Sequence, residues 1–193
     1  MASIKNWDNN TWLSSKDYIK SFSKFLIQNT KLNFKSEILD IGCGRGKISG
    51  NLYSELKLTS KPIGIDIVNH KDKDKRVKFK KSNGLTFLNK NKNFFDLILI
   101  KQTIHLLKMN EITKLINLCK KSLKSKGVIV VLTLDPNKNE IPTFKLMNTK
   151  LENSLNRDKK IITLLKKNNK VLKVKNFSYK VKILKSKYLQ MIN

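Results

Sequence analysis

The chain has 193 residues, 41 Lys+Arg against 14 Asp+Glu, and a formal charge of +27. A hydrophobic content of 39% excludes a disordered chain, and the length suits one domain with a layered core. Two cysteines, Cys43 and Cys119, exclude a disulfide framework and the usual zinc spacing, so no metal site is expected.

No apolar run approaches the ~18 residues of a membrane span, and Met1–Lys20 has no apolar signal segment. A reducing, cytoplasmic setting is expected. The charge by itself points to nucleic acid or an anionic surface. Yet only three of the basic residues, Arg45, Arg76 and Arg157, carry the bidentate fork that grips phosphate. Solvated lysines, of the kind AT-rich coding produces, are the favoured reading.

Taken in chain order, residues 11–28 predict an amphipathic helix with Tyr18, Phe22, Phe25 and Leu26 on one side. "SEILDIG" (Ser36–Gly42) predicts a short buried strand. "RGKISGNLYSELKL" (Arg45–Leu58) has Ile48, Leu52 and Leu56 at helical spacing. Further strands are expected at Lys61–Val68, Arg76–Ser82 and Phe94–Lys101. Glu111–Lys124 reads as a helix with Cys119 on its core side, ended by Gly127. "GVIVVLTL" (Gly127–Leu134) is wholly apolar and is expected to be a central strand. Two helices follow, Ile141–Leu155 and Arg157–Lys167, and "VLKVKNFSYKVKI" (Val171–Ile183) alternates like a sixth, antiparallel strand. Strands alternating with helices predict an α/β fold, a doubly wound and mainly parallel sheet with helices on both faces.

The chemistry is concentrated in "ILDIGCGRGKISG", Ile38–Gly50. A strand, then Gly42-x-Gly44-x-Gly46, then a helix lets backbone approach a ligand closely at a strand's carboxyl end. A dinucleotide fingerprint would need glycine at position 47, where Lys47 stands. A phosphate loop would need one more residue before the lysine, and Ser or Thr where Ile48 stands. What remains is an acid, Asp40, ahead of the glycines, and a second acid, Asp66, ending the next strand. A carboxylate there suits a ribose diol.

"ILDIGCGRGKIS" followed by "PIGIDIV" resembles the first two motifs of the class I S-adenosylmethionine-dependent methyltransferases, over about Ile38 to Leu134. The resemblance implies a Rossmann-like fold, S-adenosylmethionine as methyl donor and S-adenosylhomocysteine as product. Asp40 would orient the loop and the methionine end of the donor. Gly42, Cys43 and Gly44 would offer backbone to it, Asp66 would hold the ribose, and Ile67 would pack on the adenine. Asn83, followed by Gly84, stands where the family often has an acid that accepts from the adenine amino group. Asn83 can accept there or serve as a turn residue.

The same resemblance puts Lys101, Gln102 and His105, after the fourth strand, near the transferring methyl. His105 is a candidate general base; alternatively it starts the next helix and fixes or positions the loop. Trp7, Trp12 and Tyr18 would either cover the donor's mouth or pack the first helix on the sheet. The family's sheet usually has seven strands against six here, so a final strand is expected to be missing.

One domain over 1–193 is expected: a helical lid over 1–35, a donor-binding core over 36–135, and roofing helices plus a strand over 136–193. The function this implies is methyl transfer to a small-molecule acceptor. The alternatives are an RNA or protein methyltransferase using the basic surface, and a non-catalytic, donor-binding partner subunit.

Overall fold

In a computed structural model, which describes residues 15–135, 145–168 and 172–180, the sheet is built outward from β1 (Ile38–Ile41). All four of its residues are buried. β1 lies between β2 (Ile63–Asp66) and β4 (Phe95–Lys101), parallel to both, with Leu39 opposite Ile63 on one side and Ile98 on the other. β3 (Lys78–Lys81) pairs with β2, and β5 (Leu123–Leu132) with β4, giving the order β3-β2-β1-β4-β5, all parallel. The chain winds one way from β1 to β3 and the other way from β4 to β5. The crevice between the carboxyl ends of β1 and β4 is therefore the topological switch point, where doubly wound sheets take ligands.

Side-chain alternation along the strands sorts the core into two layers. Leu39, Ile41, Ile98 and Ile100 face α3 (Gly84–Leu88), α4 (Met109–Ser122) and α5 (Lys145–Asn168), where Ile112, Leu115, Cys119, Ile161 and Leu165 are buried. Ile38, Leu97 and Leu99 face α1 (Lys16–Asn29) and α2 (Lys47–Glu55), against Phe22, Leu26, Ile48 and Leu52. Ser15 caps α1 by accepting the Tyr18 N–H at 3.2 Å, and Glu111 closes the first turn of α4 by accepting the Lys108 N–H at 2.8 Å. Among the described residues no helix is long and apolar enough to cross a membrane.

Four expectations are corrected. Where two helices were expected after β5, there is one, α5, unbroken through Asn156; no Gly or Pro interrupts it, and interior asparagine costs a helix only ~0.7 kcal/mol. β5 is the last strand of the described sheet, not a central one. Its apolar run reflects cover on both faces: Ile129 and Val131 pack on the α4–α5 layer, Val130 and Leu132 on the α1–α2 layer.

Gly127 does not end α4, which stops at Ser122. It lies inside β5 at an irregularity in the pairing with β4, where a Cβ would come within 2.7 Å of the Phe95 carbonyl. Finally, residues 172–180 form no strand. Phe177 and Tyr179, two residues apart, instead set their rings against Tyr18, and Phe177 also meets Phe22 and Phe25. The rest of that expected strand, the ends of the chain with Trp7 and Trp12, and residues 136–144 lie outside the described residues.

Gly50, inside α2, gives a test of packing against propensity. Alanine is favoured over glycine in a helix by ~1 kcal/mol. A Cβ on Gly50, however, would sit 2.5 Å from the Asp74 carboxyl carbon, and Arg76 grips that carboxylate at 2.7 and 2.9 Å. We expect Gly50→Ala to destabilise the protein by ~1–3 kcal/mol in chemical denaturation, the cost of overpacking winning over propensity.

Candidate donor and acceptor site

Three left-handed glycines shape the loop after β1: φ is +69° at Gly42, +55° at Gly44 and +71° at Gly46. Gly42 is also sterically required. Any Cβ there would lie 2.2 Å from the Thr103 hydroxyl oxygen. Thr103, just past β4, thus fills the notch that Gly42 leaves, and its single hydroxyl proton is shared between the Lys101 carbonyl at 3.0 Å and the Gly42 carbonyl at 3.3 Å. The loop and the end of β4 are locked together across the switch point.

The loop's amides are spoken for within the protein. Gly42 and Cys43 both donate to the Ile65 carbonyl, at 2.8 and 3.1 Å, and Gly44 donates to Asp66 Oδ2 at 2.9 Å. The space a Cβ would fill is taken by Thr103 at Gly42 and by Val77 at Gly46, so the glycines serve the turn and its packing. The Cys43 side chain turns inward, its Sγ 2.8 Å from where a Cβ of Gly64 would be. Burial pushes its thiol far up, with Asp40 and Asp66 adding to the effect.

Asp40 is buried on the α2 side of β1, where Ser49 donates to its Oδ2 at 2.5 Å. Burial pushes this carboxyl up to about 6, against the Ser49 hydrogen bond and the Lys101 cation, while Asp66 reinforces the rise. Asp40 therefore acts as an internal strut between β1 and α2.

Asp66 stands at the end of β2. Its Oδ1 accepts from Val68 at 2.9 Å, and His70 Nε2 lies 3.8 Å from Oδ2. Each carboxylate oxygen has a second lone pair for a diol. Beside it Ile67 is 58% exposed, an apolar surface next to an acceptor. Asn83 caps α3, its Oδ1 accepting from Leu85 at 2.8 Å. Gly84 packs under Ile41 and Leu115, where a Cβ would meet their side chains at 3.1 and 3.2 Å.

On the other side of the switch point, Gln102 has φ +50°, a left-handed conformation that a side chain adopts at a cost. Its N–H is held by the Leu132 carbonyl at 3.0 Å. Lys101 ends β4 with its amine 6.0 Å from the centre of the Tyr18 ring. Tyr18 itself is 2% exposed and stacks on Phe22, so its ring belongs to the core that fastens α1 to the sheet.

His105 lies in a single 3-10 turn, Ile104–Leu106, packed against α5. It is half-buried, and burial pushes its imidazole below the ordinary value; Asp158 pulls it back up and Arg157 presses it down.

A model of a family described as "Methyltransferase domain" matches residues 32–192. The chain belongs to this methyltransferase family. No curated protein sequence matches it. Among solved structures it is similar to a SAM-dependent methyltransferase from Archaeoglobus fulgidus, with a TM-score of 0.56 and 22% identity over 73% of this chain and 68% of that one. It is also similar to the 1,6-didemethyltoxoflavin-N1-methyltransferase of Burkholderia thailandensis, with a TM-score of 0.52 and 14% identity over 66% of this chain and 56% of that one. At these identities the likeness is one of fold.

The methyltransferase thus carries Asp40, Asp66, Ile67, the glycine loop, Lys101 and Gln102 along the carboxyl edge of β1, β2 and β4. Asn83 and Gly84 stand beyond β3 as the start of α3, and His105 stands on the α5 side. Two residues escaped the sequence reading, Thr103 and Asp158. A threonine that fills a missing Cβ 61 positions earlier leaves no local signal. Asp158 did leave one: it shares a helical face with the apolar Ile161 and Leu165, where a hydrophobic residue would be expected.

Asp40 makes folding depend on pH. Its carboxyl is raised on folding from 3.8 to about 6, so the folded state binds the proton more tightly. This contribution is complete below about pH 4 and is lost as pH rises to about 6, some ~3 kcal/mol in all. We expect Asp40→Asn to remove that downward slope from denaturation midpoints measured across pH 4–6.

Proposed function

We propose that this enzyme transfers a methyl group from S-adenosylmethionine to a small-molecule acceptor. One observation carries the donor half of this reading: an exposed Ile67 adjoins the Asp66 carboxylate, one strand over from three left-handed glycines. That set offers an apolar face for adenine, an acceptor for a ribose diol and, at Gly44, backbone that carries no Cβ toward a ligand. When bound, the donor supplies an electrophilic methyl on a positive sulfur. The protein's share is then to align and desolvate.

Asp40 holds the glycine loop through α2, and Thr103 holds the same loop to β4. Gln102, in its left-handed conformation, would turn its side chain out of the strand toward the acceptor. The small-molecule acceptor is supported by α5, which packs against the turn that carries His105. The structural relative from Burkholderia thailandensis is named for an N1-methylation of 1,6-didemethyltoxoflavin, a compact acceptor.

Incubation with S-adenosylmethionine carrying a labelled methyl, together with cell extract, tests the acceptor. Label is expected in the low-molecular-weight fraction. Label confined to RNA or protein would sink the small-molecule reading, as would an absence of transfer to any fraction. For the donor, Asp66→Ala should abolish binding, but Asp66 also holds Gly44 and Val68, so Ile67→Ala is the cleaner probe. Loss of an apolar contact worth ~1.5 kcal/mol should weaken S-adenosylhomocysteine binding about tenfold by calorimetry. Because the side chain is exposed, the unfolding midpoint should stay unchanged.

A further inference from the structure

The chain leaving β2 folds back on the residue that ends the strand. Asp66 Oδ1 accepts the Val68 N–H at 2.9 Å, an Asx turn that bends the backbone toward its own carboxylate. Lys73 pins the bend: its amine donates to Asn69 Oδ1 at 2.9 Å and stands 4.5 Å from the centre of the Phe79 ring on β3. His70 is thereby returned to Asp66, with Nε2 3.8 Å from Oδ2, and the two side chains are only 14% and 13% exposed. Among the described residues the imidazole makes no hydrogen bond.

A separation of 3.8 Å is too long for a direct hydrogen bond and suits one inserted oxygen. A hydroxyl oxygen about 2.8 Å from each atom completes a triangle with Nε2 and Oδ2. Its proton goes to the carboxylate, and one of its lone pairs takes the imidazole N–H. Asp66 can serve only half of such a hydroxyl, because a carboxylate accepts and does not donate. Neighbouring amides cannot serve the other half: Gly42 and Cys43 donate to the Ile65 carbonyl, and Gly44 and Val68 donate to Asp66. A hydroxyl left with unmet lone pairs in a largely buried place is costly.

We infer that His70 completes the ribose subsite: it donates to a ribose hydroxyl whose proton Asp66 accepts, and the two side chains together read the vicinal diol. This inference rests on the reading of Asp66 as the ribose acceptor, and it adds the specificity of that subsite. A site that both accepts from and donates to one hydroxyl rejects an analogue that lacks it. One imidazole N–H serves one hydroxyl, so the two hydroxyls of the diol are unequal.

Calorimetry on wild type and His70→Ala, with S-adenosylhomocysteine and its 2′-deoxy and 3′-deoxy forms, tests this. His70→Ala should weaken S-adenosylhomocysteine binding about five- to tenfold. For one deoxy form, the one without the hydroxyl that His70 serves, its affinity should stay within about twofold of wild type. Unchanged S-adenosylhomocysteine affinity overturns the inference. So does an equal loss for all three ligands, the sign of an imidazole that only shapes the turn. Failure of the Asp66 reading looks different, because wild type would then bind all three ligands alike.

Should His70→Ala fail to fold, the wild-type imidazole decides. The chain has two histidines, His70 and His105, so a His105→Gln variant assigns the remaining nitrogen resonances to His70. The His70 Nε2 resonance should move on saturation with S-adenosylhomocysteine and with one deoxy form, and stay in place with the other. A resonance that moves alike with all three, or with none, refutes the assignment.

Discussion

Two backbone amides, those of Gly42 and Cys43, converge on the single carbonyl of Ile65. This shared acceptor pulls the chain leaving β1 sideways over the end of β2, and most of the site's geometry follows from it. The turn is tight enough to need positive φ at Gly42, Gly44 and Gly46. It sets the Gly44 amide against the Asp66 carboxylate and leaves a notch at Gly42 that only a residue without Cβ permits. Thr103 occupies that notch. The proposed donor side and the proposed acceptor side are therefore mechanically one piece, joined at a contact no wider than a hydroxyl group.

The layers around this joint divide the labour. The α1–α2 layer braces the loop from below, through Asp40 and Ser49 and through the aromatic stack of Tyr18, Phe22 and Phe177. On the other side, α5 packs against the turn with His105. Holding Asp40 in a dry site is costly, and the fold accepts that cost near neutral pH where the loop must be stiff. Strain at Gln102 is a second such cost, again at the edge where chemistry is proposed.

Much of the fold could be read from the chain because its strands are short apolar runs and its loop is spelled in glycines. β1, β2, β3, β4 and α4 lie within two residues of where periodicity puts them, and Asp40, Asp66 and Ile67 fall at the sheet's carboxyl edge as the motif order implies. Other features could not be read, each for a physical reason. An apolar run such as Val128–Leu132 reports cover on two faces and says nothing of neighbours on both sides. The alternation around Phe177 and Tyr179 reports two rings pointing inward, and backbone pairing is a separate matter. An asparagine that caps α3 has the same letter as one that would reach a base. Asn156 has a turn residue's reputation, yet a helix anchored by Ile161 and Leu165 runs straight through it.

Cys43 gives the loop a further property. A sulfonium methyl donor is an alkylating agent, and thiolate is the side-chain nucleophile it would modify most readily. The Cys43 sulfur is folded back under the loop, and its partial burial between the Asp40 and Asp66 carboxylates disfavours the thiolate. A residue that in open solution would compete with the acceptor is thereby made a poorer nucleophile beside the proposed donor.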